Sequence, residues 1–147
     1  MAVEVELLVR RAAPSDAPVL AALAGELGYP TDPPTIRRRL QALPPDDEVW
    51  VAEAEGEVVG WVHCAIRLSL LVEPHLEVRG IVVGERWRGR GIGRRLMARA
   101  EQSATEHGVS AVRLRSGAQR DEAHAFYRGL GYREQKLQRV FIRELGE

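Results

Sequence analysis

Residues 81–96 read IVVGERWRGRGIGRRL, and the fold turns on what this stretch is. An apolar run ends at Val83, and then five arginines and three glycines at alternate positions crowd the eleven residues Arg86 to Leu96. A nucleic-acid patch, a phosphate cradle and a solvated surface loop all compete for it. A strand that feeds a helix through a glycine-rich turn leaves backbone N–H groups unpaired at the helix start. The aligned peptide dipoles add about half a positive charge there. Such a place favours phosphate. Gly89, Gly91 and Gly93 have no Cβ to hold a ligand away from the main chain, and Arg88, Arg90 and Arg94 add forked cationic donors suited to phosphate oxygens. The common nucleotide fingerprints do not fit. A G-x-G-x-x-G motif begun at Gly89 meets Arg94 where a third glycine or alanine is needed, and no Gly-Lys-Ser/Thr sequence exists.

The rest of the chain narrows the choice. At 147 residues and 45% hydrophobic content it is one domain's worth, 1–147, able to bury a core without disulfides or metals. Lys+Arg 21 balance Asp+Glu 21, so the molecule has no long-range pull on a polyanion, and only Trp87 interleaves an aromatic ring with the basic turn. Nucleic acid is not expected as a partner. The one cysteine, Cys64, reads as a small buried apolar residue. His63 and His75 are not at metal-ligand spacing, so no metal is expected. The N-terminal stretch lacks the pattern of a leader, and no apolar run approaches the ~20 residues of a membrane helix, so a cytoplasmic protein without a membrane partner is expected.

Periodicity gives the element order. Alternation in VEVELLVRR (3–11) predicts a strand. PSDAPVLAALAGELG predicts a helix with Ser15 or Asp16 as N-cap and Gly28 as stop, followed by a short helix over TIRRRLQAL. Two strand-like runs flank Glu55-Gly56, a hairpin signal, and LEVRGIVV is a further strand. Ile92, Leu96, Ala100 and Ala104 recur at four-residue steps in a helix from Gly91 to His107, ended by Gly108. SAVRLRS is a strand, DEAHAFYRGLG a helix with Ala123, Phe126, Tyr127 and Leu130 inward, and YREQKLQRVFIREL a closing strand or hairpin. A mixed sheet follows, with parallel pairing between the strand ending at Val83 and that at 111–115.

Arg88-x-x-Gly91-x-Gly93, set between a strand and a long helix, resembles the pyrophosphate signature Q/R-x-x-G-x-G/A of the GCN5-related N-acetyltransferase superfamily. AHAFYRGLGY (123–132) resembles that family's second block, A-x-x-F-Y-x-x-x-G-F/Y, in register with the first. The resemblance covers nearly the whole chain in element order and is sharpest from Leu76 to Tyr132. It implies an α/β (α+β mixed) fold: a mostly antiparallel central sheet with a splayed parallel pair, flanked by about four helices. It also implies an acetyl-CoA-dependent N-acetyltransferase in which a small-molecule or peptide amine attacks the thioester directly. A module that holds CoA or acyl-CoA without turnover is the alternative. Family members are often dimers, which leaves a homodimer open.

Carried onto this sequence, the resemblance places Arg88, Gly89, Arg90, Gly91, Ile92, Gly93 and Arg94 on the pyrophosphate. It places Ile81, Val82 and Val83 along the pantetheine arm. Ala123, Phe126 and Tyr127 of the second block join the cofactor site. Arg120 stands where many members have Asn, and Gly84-Glu85 where a proline is common. Tyr127 is then the acid that protonates the departing thiolate, and Glu77 the base. Alternation sets Glu77 on one strand face with Arg79, Ile81 and Val83, where an ion pair with Arg79 is the competing reading. His75, beside Pro74, is a second candidate base, read as solvated. The Val83 amide is the expected oxyanion donor. Tyr29, between the first two helices, is the residue expected to line the acceptor site.

Overall fold

The computed structural model describes residues 6–146. In it the first strand, β1, is Leu8–Arg11; Val3, Glu4 and Val5 of the expected strand lie outside the described residues. Contacts divide the chain into two compact units, Met1–Arg115 and Ser116–Glu147.

In the first unit a 3₁₀ turn at Pro14–Asp16 leads into α1 (Ala17–Leu27). Asp16 does stand at the N-cap, but its carboxylate turns backwards, accepting from the Ala13 N–H at 2.7 Å and from both Arg10 Nη atoms at 2.8 and 2.9 Å. Gly28 ends α1 in the left-handed conformation, as its sequence position predicts. The second helix, α2, runs Pro33–Ala42 and so begins two residues before Thr35; Asp32 caps it by accepting from the Thr35 N–H at 2.8 Å.

β2 (Glu48–Ala54) and β3 (Glu57–Arg67) form the expected hairpin. Glu55 and Gly56 both have positive φ, 53° and 79°, the two-residue turn whose twist matches the flanking strands. β4 (His75–Val83) adds antiparallel to β3, and α3 (Ile92–Glu106) carries the chain back to β5 (Val112–Leu114), parallel to β4. The sheet order is β1-β2-β3-β4-β5, with one parallel pair at its margin.

The core has two layers on this sheet. Ile92, Leu96, Met97 and Ala100 of α3 are at most 1% exposed and pack on β3 and β4, while Leu20, Leu23 and Ala24 of α1 pack on the same two strands. Burying each of the larger side chains is worth roughly 1.5–3 kcal/mol. Close approach of α3 sets a limit at Gly60: a Cβ there would lie 2.9 Å from the Val82 carbonyl oxygen and 3.2 Å from Leu96 Cδ1.

The second unit holds α4 (Asp121–Gly129), ending at Leu130 and a left-handed Gly131. Residues 133–146 join no helix or strand, which corrects the expected closing strand or hairpin. The residue pattern favours a strand, but a strand exists only by pairing, and among the described residues none is paired with it.

Candidate functional site

β4 is the element that organises the site, and its register contains a residue too many. Cys64 faces Val78 and His63 faces Gly80, so Arg79 is a bulge with no cross-strand partner. The extra residue reverses the parity of everything after it. Leu76 and Val78 pair across to Ile66 and Cys64, while Ile81 and Val83 pair across to Val62 and Gly60; all of these lie on the α3 face. Glu77 pairs across to Ala65 and shares the opposite face with Gly80 and Val82. The expectation that Glu77 shares a face with Ile81 and Val83 is therefore wrong. Strict alternation cannot survive an inserted residue. Gly80, a glycine inside a strand pattern, was the signal available in the sequence.

The same shift re-aims the backbone. The Gly84 N–H donates to the Val59 carbonyl at 2.8 Å, so alternation makes Trp61–Val82 a hydrogen-bonded pair and turns the N–H and C=O groups of Ile81 and Val83 away from β3. On that side the ladder to β5 covers only Leu76, Glu77 and Val78. Ile81 and Val83 thus present main-chain donors and acceptors along an edge that β5 does not pair. The Val83 carbonyl accepts from Arg88 Nε at 3.2 Å, which ties the turn to the strand end.

Beyond Val83 a 3₁₀ turn (Glu85–Trp87) leads into the glycines. Gly89 and Gly91 both have positive φ, 78° and 83°, and Gly91 is the N-cap of α3 with no side chain capping it. The first helical bond within α3 is that from the Arg95 N–H to the Gly91 carbonyl, so the amides of Ile92, Gly93 and Arg94 precede the ladder. Apart from the adjoining residues, no atom of the described residues lies within 4 Å of where a Cβ would sit on Gly89 or Gly91, so the space above the turn is open. Arg88, Arg90 and Arg94 are exposed around it, Arg90 stacking on the Trp87 ring at 4.9 Å. An open row of donors, a left-handed cap and three guanidinium groups fit an anion with two linked phosphates.

Glu77 is held by two arginines. Its Oε1 accepts from Arg79 Nη1 at 2.9 Å and from Arg67 Nε at 3.4 Å. The pair with Arg79 was the competing reading of the sequence; Arg67 was missed, because only the register of β3 brings it near. His75 is buried, 7% exposed, with Nδ1 3.0 Å from the Glu73 carbonyl oxygen, which corrects its reading as a solvated loop histidine. Cys64 is buried, and desolvation pushes its thiol up to about 12, so it is no nucleophile at neutral pH. Tyr29 is 72% exposed in the α1–α2 connection. Among the described residues no three His, Cys, Asp or Glu side chains could share a metal ion, and no helix is long and apolar enough to cross a membrane.

In the second unit, Tyr127 is buried and packs edge-to-face with Phe126 and Tyr132, ring centroids 5.3 and 6.3 Å away. Burial raises its phenol above the ordinary value, with the charge of Arg120 pulling weakly the other way. Tyr127 therefore keeps its proton throughout the neutral range. Arg120 is the N-cap of α4, and Ala123 lies half-buried in its first turn. Gln119 through Ala123 line a shallow cavity of about 340 Å³.

Comparison with known proteins finds relatives in sequence and matches in fold. An uncharacterized N-acetyltransferase of Methanocaldococcus jannaschii is 32% identical over 100 residues, 67% of this chain and 44% of its own length. The aminoalkylphosphonate N-acetyltransferase of Salmonella typhimurium is 33% identical over 99 residues, 63% of this chain and 60% of its own. The chain thus spans about half the length of these relatives. In fold it matches an aminoglycoside N-acetyltransferase crystallised with CoA, TM-score 0.84 at 17% identity, covering 97% of both chains. The acetyltransferase (GNAT) family model matches residues 18–132, most of the chain, and the chain belongs to that family.

Proposed function

We propose that this protein moves the acetyl group of acetyl-CoA onto the amine of a small molecule or peptide. The observation that carries the reading is a row of main-chain donors in two stretches, the open edge of Ile81 and Val83 and the uncapped start of α3. Between them the amides of Gly84, Glu85, Trp87 and Arg88 are bonded within the chain. A coenzyme with amide groups along its arm and a diphosphate at its bend matches that row in order. When bound, acetyl-CoA supplies an activated acetyl thioester with a thiolate leaving group.

The chain's own residues do the rest. Ile81 and Val83 offer their main-chain groups to the amides of the arm, and a main-chain N–H of this open edge donates to the thioester oxygen, where negative charge develops as the amine nitrogen attacks. The amides of Gly91 to Arg94 and the guanidinium groups of Arg88, Arg90 and Arg94 hold the diphosphate. Arg120, in place of the common Asn, adds a further cation for the phosphates. Tyr127 gives its proton to the sulfur as the C–S bond breaks. Its phenol is a weaker acid than the thiol it forms, so donation is concerted with bond breaking rather than prior to it. Glu77 takes the proton that the amine loses, through the carboxylate oxygen that Arg67 and Arg79 leave uncovered.

A relative whose name specifies an aminoalkylphosphonate supports a small amine acceptor. The test is thiol release from acetyl-CoA across a panel of amines, with Tyr127→Phe beside the native chain. Amine-dependent release is expected, with kcat about 100-fold lower in the variant and coenzyme affinity kept. Coenzyme binding without release for any amine would instead favour the module that holds CoA without turnover.

A further inference from the structure

We propose that the acceptor amine carries an acidic group, a carboxylate or similar oxyanion within a few bonds of its nitrogen, which Arg67 and Arg79 grip beside Glu77. This rests on Glu77 as the base of the proposed transfer, and it narrows the acceptors to zwitterionic amines. The clue is one carboxylate held by more cation than it needs. Arg67 ends β3 and Arg79 is the bulged residue of β4, yet Arg67 Nε and Arg79 Nη1 donate to the same atom, Glu77 Oε1, at 3.4 and 2.9 Å. One arginine is enough to steady Glu77, and exposed pairs of this kind add little stability.

The two guanidinium groups are only partly used. Among the described residues Arg67 Nη1 and Nη2 and Arg79 Nε and Nη2 have no acceptor. The arginine side chains are 44% and 39% exposed against 17% for Glu77, so the cations stand more open to a ligand than the carboxylate they hold. Two positive charges on one negative leave one positive charge in excess. Arg113 of β5, the cross-strand partner of Glu77, adds its charge to the same face. Asp47 does not offset this, being bonded at 2.8 Å to His63 further along the face.

A simple alkylammonium, or a polyamine, meets net repulsion at such a cluster. An oxyanion on the same molecule reverses the sign, and the forked donors match its paired oxygens. The register supplies the direction. Arg67 faces His75, Glu77 faces Ala65 and Ile81 faces Val62, so Arg67, Glu77 and the open edge follow one another along the sheet. An acceptor with its acidic end on the arginines therefore points its nitrogen past Glu77 toward the edge where the coenzyme is proposed to lie. On that side the face turns apolar: a Cβ on Gly80 would lie 3.2 Å from Cζ3 and Cη2 of Trp61, so the indole lies close against β4 and offers the acidic end nothing.

The test is thiol release from acetyl-CoA with α-amino acids and β-alanine, each beside the amine that lacks the carboxylate, and with diamines of matched length. The native chain is expected to give its highest kcat/KM with the amino acids. In the variant Arg67→Gln with Arg79→Gln, the preference for an amino acid over its matched amine should fall about 30-fold, mainly through KM. Any disturbance of Glu77 acts on both members of a pair and cancels in that ratio. Should the variant misfold, the order of acceptors on the native chain decides alone. A native preference for uncharged or cationic amines overturns the proposal, and so does a preference for amino acids that survives both substitutions. Release from no amine, with CoA still bound, overturns the transferase reading itself and this inference with it, an outcome distinct from the other two.

Discussion

The two ends of β4 differ as sharply as any two regions of the molecule. At the His75 end the strand is paired on both sides, and its apolar side chains are sealed. At the Val83 end it is paired on one side only, and it runs into a turn of left-handed glycines and exposed arginines. One inserted residue, Arg79, separates the two regimes by reversing both side-chain and backbone parity. The first end spends its hydrogen bonds on stability. The second keeps them available for a ligand.

Substitutions at the two ends should therefore fail in different currencies. Leu76→Ala, at the paired end, removes a 2% exposed side chain and should cost about 3 kcal/mol in urea unfolding, with coenzyme affinity unchanged wherever the variant is folded. A loss of affinity without a loss of stability would break the contrast. Asp16→Asn, away from both ends, should cost about 2 kcal/mol by removing the charge and one of the two acceptor oxygens that Arg10 bonds.

The Asp16 effect has a pH signature. The Arg10 hydrogen bonds hold the Asp16 carboxyl below its ordinary value, so its contribution is complete at neutral pH and is lost as pH falls below about 4 and through the folded-state pKa. The native chain should lose stability in acid more steeply than Asp16→Asn, measured by urea midpoints from pH 7 to 3. Arg88→Ala, at the open end, should leave the urea midpoint within about 0.5 kcal/mol but weaken coenzyme binding about tenfold, read by calorimetry.

What the sequence made legible follows the same division. α3 could be read because its four-residue apolar steps and flanking glycines are local signals, and the β2–β3 turn because Glu55-Gly56 needs only its own backbone. The glycine-arginine turn was readable for the same reason. The bulge at Arg79 was not, since a register exists only between strands, and with it went the face of Glu77 and the approach of Arg67. His75 was misread because Pro74 marks a loop locally, while its burial comes from packing. The pattern of residues 132–145 signalled a closing strand or hairpin, but pairing belongs to two segments and is not written in one of them.

The most direct measurement is a titration of uniformly ¹⁵N-labelled protein with CoA, followed by amide resonances. Large, saturable shifts are expected for Ile81, Val83 and Gly91 to Arg94, with amides of Leu76 and Val78 nearly still. Binding that leaves the Gly91 to Arg94 amides unmoved would contradict the assignment of the coenzyme to the open end of β4.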